Sequence, residues 1–193
     1  GIGVGIARVL RDAGMKVAMG WISEEQIVEA MRLFPDDPDV FGIRHDVLDQ
    51  EGWERTAEAI EARFGKVHLL VNNAGVGLNA RATSASMNDW EWGMGVNFWG
   101  PVYGVRTFLP RFRRHGEGAH IATVSSISGV FAGSGNGVYT VSKHAVTALM
   151  EELRVELHET SIGTSVMFPG FTASNIGQAE RYRPERLRNP GSA

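Results

Sequence analysis

The sequence predicts one α/β domain, a doubly wound parallel sheet with helices on both faces. Two observations predict it. Short apolar runs alternate along the chain with stretches whose apolar residues recur at helical spacing. The runs are continuously apolar rather than alternating, which marks strands buried on both faces.

Taken in order, Gly1-Ile2-Gly3-Val4-Gly5 leads straight into a helical stripe of Ile6, Val9 and Leu10 that Gly14 ends. Lys16–Met19 reads as a buried strand. Ser23, with Gln26 three residues on, caps a helix to about Phe34, and Pro35–Pro38 is a turn. Val40–Ile43 is the next strand. Trp53, Ala57, Ile60 and Phe64 form one helical stripe between Gln50 and Phe64, followed by the strand His68–Val71. A long helical region is expected from about Met87 to Arg113, then strand Ala119–Val124, a helix from about Tyr139 to Glu159 and strand Gly163–Met167. Residues 1–176 form the domain. Residues 177–193, with Arg181, Arg183, Arg186 and Arg188 among Pro184, Pro190 and Gly191, read as a solvated end or a substrate lid.

Composition narrows the function. At 193 residues the chain can bury roughly 70% of its unfolded surface, so a core needs no staples. It has no Cys, which excludes disulfides and thiolate metal sites. Nineteen Lys and Arg against 22 Asp and Glu leave a formal charge of −3, with no general attraction to nucleic acid or anionic membrane. No apolar run is long enough to span a bilayer. Glycine is frequent, at 24 residues, which suits close backbone approaches around a nucleotide.

Four groups of residues carry chemistry. Gly1-x-Gly3 at the start of a helix suits phosphate, because glycines admit the backbone and the helix end presents free N–H groups. A plain tight turn explains it equally well. Asn72-Asn73-Ala74-Gly75 follows an apolar strand, at the carboxyl end where open α/β sheets bind ligands. Tyr139 and Lys143 are four apart on one helix face, and an ammonium beside a phenol favours the phenolate that acid/base catalysis uses. Ser126 lies just after a strand, placed to polarise a carbonyl.

Together with Asp46-Val47, Val96-Asn97 and Pro169-Gly170, these residues resemble, in order, the classical branch of the short-chain dehydrogenase/reductase family. The resemblance runs from Gly1 to about Ile176. It implies a Rossmann-type domain that transfers hydride between NAD(P) and a secondary alcohol or ketone. By that resemblance Tyr139 is the acid/base, Ser126 orients substrate, Lys143 holds the nicotinamide ribose, and Asn97 anchors a relay water. Gly1, Ile2, Gly3, Trp21, Asp46, Val47, Asn73, Ala74, Gly75, Tyr139, Lys143, Pro169, Gly170 and Thr172 are the implied cofactor contacts. The alternative from another class is a non-catalytic dinucleotide-binding regulator or scaffold, and the intact catalytic set counts against it.

Two departures stand out. The family's first strand and the start of its glycine turn have no counterpart before Gly1, so the sequence reads as part of a longer chain. At Trp21, where NAD-preferring relatives carry an acid that repels a 2′-phosphate, there is none, which favours NADP over NAD. Val76, Ser128, Phe131 and Phe171 flank the expected cleft and suggest a hydrophobic or aromatic substrate. The Ile162–Ile176 run resembles dehydrogenases of benzylic alcohols in lignin-derived aryl ethers. Trp90, Trp92 and Trp99 read as core packing. Six His show no metal-ligand spacing, and no metal is expected. The family's habit implies a homodimer or homotetramer through the helices near 100–113 and 139–158, in the cytoplasm, with no nucleic-acid or membrane partner.

Overall fold

A computed structural model describes residues 1–133 and 135–189. Pro190 and Gly191 of the expected tail lie outside them. Helix α1 (Ile2–Asp12) ends where Gly14 takes φ 86°, a conformation that costs glycine little. Strand β1 (Val17–Trp21) follows. In α2 (Glu24–Met31) the Ser23 hydroxyl accepts the Gln26 N–H at 3.3 Å, the cap that the spacing predicts. The helix stops three residues short of Phe34, whose ring is buried beside β1 and the next strand, β2 (Val40–Arg44). Helix α3 (Gln50–Phe64) is capped by Asp49, which accepts from Gly52 at 3.0 Å, and β3 (Leu69–Asn72) follows it.

The long helix expected from Met87 to Arg113 is interrupted. Helix α4 (Met87–Met94) begins with a reciprocal capping box between Ser86 and Asp89. A π-turn at Gly95–Trp99 then widens the helix before α5 (Gly100–His115) resumes. Gly95 and Gly100 bracket the turn and weaken the regular ladder there, and Asn97 is drawn sideways into hydrogen bonds with other elements. Strand β4 (Ala119–Val124), helix α6 (Gly137–Glu156) and strand β5 (Ile162–Met167) complete the alternation.

The strands form two parallel sheets, β1–β2 and β3–β4–β5, rather than one. Among the described residues no strand joins β1 to β3. The larger sheet packs through Leu70, Ile121 and Ile162 against Trp53 and Ala57 of α3, Phe108 and Phe112 of α5, and Met150 and Leu153 of α6. Ala7 of α1 closes the smaller sheet against Val17, Met19 and Val40. Trp53 meets Phe108 edge to face at 6.5 Å between ring centres, tying α3, beside the smaller sheet's last strand in sequence, to α5 of the larger. The carboxyl ends of β3 and β4 thus open onto the loops that carry Asn73, Gly75 and Ser126.

Candidate active site

Lys143 sits at the floor of this end of the sheet, 3% exposed, and donates to the Val124 carbonyl at 3.0 Å. Burial lowers its pKa from 10.5 to about 8, because a desolvated ammonium is disfavoured. The loop after β3 passes directly over it. A Cβ placed on Gly75 would lie 3.4 Å from Lys143 Nζ and 3.3 Å from Asn97 Oδ1, so a side chain there would crowd both. Asn97, 1% exposed, clamps that loop: it accepts the Val76 N–H at 2.8 Å and donates to the Val76 carbonyl and to Ser142 Oγ, each at 3.0 Å. Ser142 in turn donates to the Tyr139 carbonyl at 2.7 Å. The π-turn, the loop after β3 and helix α6 are one hydrogen-bonded unit.

On the same helix, the Lys143 ammonium lies 5.7 Å from the Tyr139 ring centre. Ser126 caps the 3₁₀ turn Ile127–Gly129, accepting the Ser128 N–H at 3.1 Å and keeping its own O–H free to donate. That turn is pinned below by Ser125, whose hydroxyl bonds the Lys143 carbonyl at 3.1 Å and Thr147 Oγ1 at 2.8 Å. Gly129 must be glycine, since a Cβ would fall 2.4 Å from Ser125 Oγ and 2.8 Å from the Lys143 carbonyl oxygen. The Ile127 N–H donates to the Pro169 carbonyl at 3.0 Å, bringing the loop after β5 alongside.

The matched residues extend across this whole arrangement: the family profile for short chain dehydrogenase aligns with residues 1–185. The chain belongs to that family. The chain is 36% identical, over 193 residues, to a C alpha-dehydrogenase from a Sphingobium strain, covering 99% of this chain and 63% of that protein. It is 32% identical to a 3beta-hydroxysteroid dehydrogenase from Eggerthella lenta, covering 96% of this chain and 72% of that protein. Among solved structures, a short chain dehydrogenase/reductase from Burkholderia phymatum in complex with NAD superposes with a TM-score of 0.89 at 37% identity, over 97% of this chain and 68% of that one. The chain therefore spans just under two thirds of the Sphingobium relative's length.

Among the residues expected to meet a cofactor, Gly1 is the N-cap of α1, and a Cβ on Gly3 would fall 2.6 Å from the Asn73 amide nitrogen. The opening glycines and the loop after β3 are therefore in direct contact, which sequence separation alone does not show. Asp46 accepts the Leu48 N–H at 2.9 Å, and Val47 packs against Gly100 while its carbonyl receives the Trp53 indole N–H at 3.2 Å. Trp21 ends β1 with its ring packed partly onto the core of the smaller sheet. Ala74 lies in the loop between Asn73 and Gly75. Thr172 donates to the Gly170 carbonyl at 3.3 Å in an exposed loop.

The residues expected to flank the substrate are less closely gathered. Phe131 is 66% exposed and Phe171 fully exposed, whereas Val76 turns its side chain into a buried cluster with Leu78, Trp92, Val96, Ala179 and Leu187. Trp92 is the aromatic fully enclosed there; Trp99 stands half-exposed, stacked on Tyr103 at 6.2 Å. Core packing therefore describes Trp92 and not Trp99.

Residues 175–187 form two 3₁₀ segments laid across α4. Arg183, 4% exposed, spans the Trp92 ring at 4.8 Å and donates to Asp89 at 2.6 Å and to Glu180 at 3.2 Å. Burial alone would raise the Asp89 carboxyl, but Arg183, Ser86 and Asn189 hold it down at about 2. A cavity of about 520 Å³ lies between this tail and the loop at Gly77–Ala80. The Ser86-x-x-Asp89 capping box could have been read from the sequence. The Arg183 partnership could not, because 94 residues separate its halves.

Proposed function

We propose that this dehydrogenase transfers hydride reversibly between a nicotinamide dinucleotide and a secondary alcohol or ketone, with Tyr139 as acid/base. The observation that carries the reading is the buried Lys143, with its pKa near 8, packed beneath Gly75 and one helical turn from Tyr139. A buried ammonium is costly to keep, and such perturbed groups cluster at functional sites.

The residues fit a dinucleotide. The free N–H groups of α1 begin at Gly1; a Cβ at Gly3 would strike the Asn73 amide, and one at Gly75 would press on Asn97 and Lys143, so the bare glycines leave those polar groups their positions. Gly1, Ile2 and Gly3 would hold the pyrophosphate, Asp46 and Val47 the adenine, and Asn73 to Gly75 the central stretch. Pro169, Gly170 and Thr172 would hold the carboxamide end. When bound, the nicotinamide supplies the hydride donor or acceptor.

The chain's own groups supply the proton and the position. Tyr139 Oη takes the proton from the alcohol oxygen during oxidation and returns it to the carbonyl oxygen during reduction. Ser126, with its Oγ already receiving the Ser128 N–H, directs its own O–H at that oxygen. Lys143 spends one N–H on Val124 and has two others for the ribose hydroxyls and for stabilising the phenolate. Asn97 has its amide engaged by Val76 and Ser142, so it shapes the loop and the relay rather than meeting substrate.

For the cofactor, we infer a preference for NADP, because no acid stands at Trp21 to repel a 2′-phosphate. The substrate class we infer is apolar or aromatic, from Phe131 and Phe171. A homodimer or homotetramer is proposed through α5 and α6: Trp99, at the end of the π-turn that leads into α5, and Val141 and Val155 of α6 are between 44% and 60% exposed. No helix among the described residues is long and apolar enough to cross a membrane. Separate fluorescence titrations with NADPH and NADH test the cofactor reading: tighter NADPH binding is expected, and an NADH preference would contradict it.

A further inference from the structure

The amino ends of β3 and β4 lie at the opposite end of the sheet from Gly75 and Ser126, and they gather a second set of polar groups. Spacing along the sequence gave no sign of a ligand set, yet folding brings three candidate ligands together. Among the described residues, His68, His115 and Glu117 each offer one ligand atom within 4.8 Å of the others. The two imidazole centres are 4.9 Å apart.

The hydrogen bonds fix what each group can do. His115 Nε2 lies 2.9 Å from the Val67 carbonyl, and its Nδ1 lies 3.1 Å from the Glu117 amide nitrogen. A carbonyl only accepts and an amide N–H only donates, so Nε2 carries the proton and Nδ1 the lone pair. A metal-bound imidazole is oriented in that way, with its other nitrogen donating to a backbone carbonyl. Glu117 accepts from His68 Nε2 at 3.0 Å and from the Lys66 ammonium.

We propose that His68, His115 and Glu117 bind one divalent transition-metal ion of the zinc class, which displaces the Lys66 ammonium from Glu117. Tetrahedral zinc with ligands near 2.0–2.1 Å needs its ligand atoms about 3.4 Å apart. The half-exposed side chains of His68 and Glu117 can move the remaining distance. His115 gives up the Glu117 amide hydrogen bond in exchange. The ion would pin the turn before β3 to the turn before β4, two segments 47 to 49 residues apart in sequence. It would act on stability, at the end of the sheet away from the catalytic groups.

The test uses untagged, chelator-treated protein titrated with Zn²⁺ alone by calorimetry, and with Co²⁺ alone for the visible bands of tetrahedral coordination. One equivalent is expected to bind. At a hundredfold excess over Kd the unfolding temperature is expected to rise by roughly 5–10 °C. His68→Ala and Glu117→Gln should each weaken binding at least tenfold, and Lys66→Met, which removes the competing cation from an exposed site, should tighten it several-fold. Absence of saturable binding would overturn the proposal. So would binding that His68→Ala and Glu117→Gln leave unchanged, or that Lys66→Met weakens.

Discussion

The floor of the candidate site and its roof are built on different principles. On the floor, Asn97, Ser125, Ser142 and Lys143 are all at or below 3% exposure, and each is held by side-chain hydrogen bonds to neighbouring elements. On the roof, Phe131 and Phe171 project into solvent from loops. On the proposed function, the contrast separates two jobs. Proton chemistry needs groups fixed to a fraction of an ångström by a supporting shell, while substrate choice is carried by loops that can change without disturbing it.

The largest expected effect tests whether the floor is arranged for function at the expense of stability. In the cofactor-free protein, Lys143 is charged in both the folded and unfolded states below pH 8, and the full cost of its burial applies there. Between pH 8 and 10.5 the folded chain sheds the proton while the unfolded chain keeps it, so stability rises with pH across that window. The shift from 10.5 to about 8 corresponds to about 3 kcal/mol. Lys143→Met should therefore be more stable than the parent at pH 7 by up to about 3 kcal/mol, with the gap closing by pH 10.5. Urea unfolding at several pH values measures it, and a less stable variant at pH 7 would break the comparison.

Next in size is Asn97→Ala. It leaves the Val76 N–H and carbonyl and the Ser142 hydroxyl with lost partners in a buried place, and should cost about 2 kcal/mol by the same unfolding measurement. A smaller effect belongs to the tail. The Asp89 carboxyl, lowered to about 2 in the folded chain, contributes stability above pH 4 that is lost as the pH falls toward 2. Asp89→Asn should remove about 1 kcal/mol of that acid dependence, after allowance for solvent screening. The smallest effect is on the roof: Phe171→Ala should change stability by under about 0.5 kcal/mol, while raising KM for an aromatic ketone.

This division also explains what the sequence disclosed. Tyr139 and Lys143 share a helix face because four residues make about one turn, and Asn73 and Gly75 follow a strand whose apolar run was plain. Local rules placed them. The Ser23 cap followed equally from short-range chemistry. The π-turn at Gly95–Trp99 did not, because it depends on partners at Val76 and Ser142, on elements far away in sequence. The contact of Gly3 with Asn73, the Arg183–Asp89 pair and the gathering of His68 with His115 are likewise products of topology. The division of the strands into two sheets was no more readable, since apolar runs announce strands without saying which edges pair.

The central claim is that Tyr139 moves the proton above a floor that binds cofactor without it. The most direct measurement compares Tyr139→Phe with the parent in two assays, NADPH affinity and turnover of an aromatic ketone under the same conditions. The account predicts turnover lower by at least about a thousandfold with affinity changed less than threefold. Turnover that survives the substitution would contradict it.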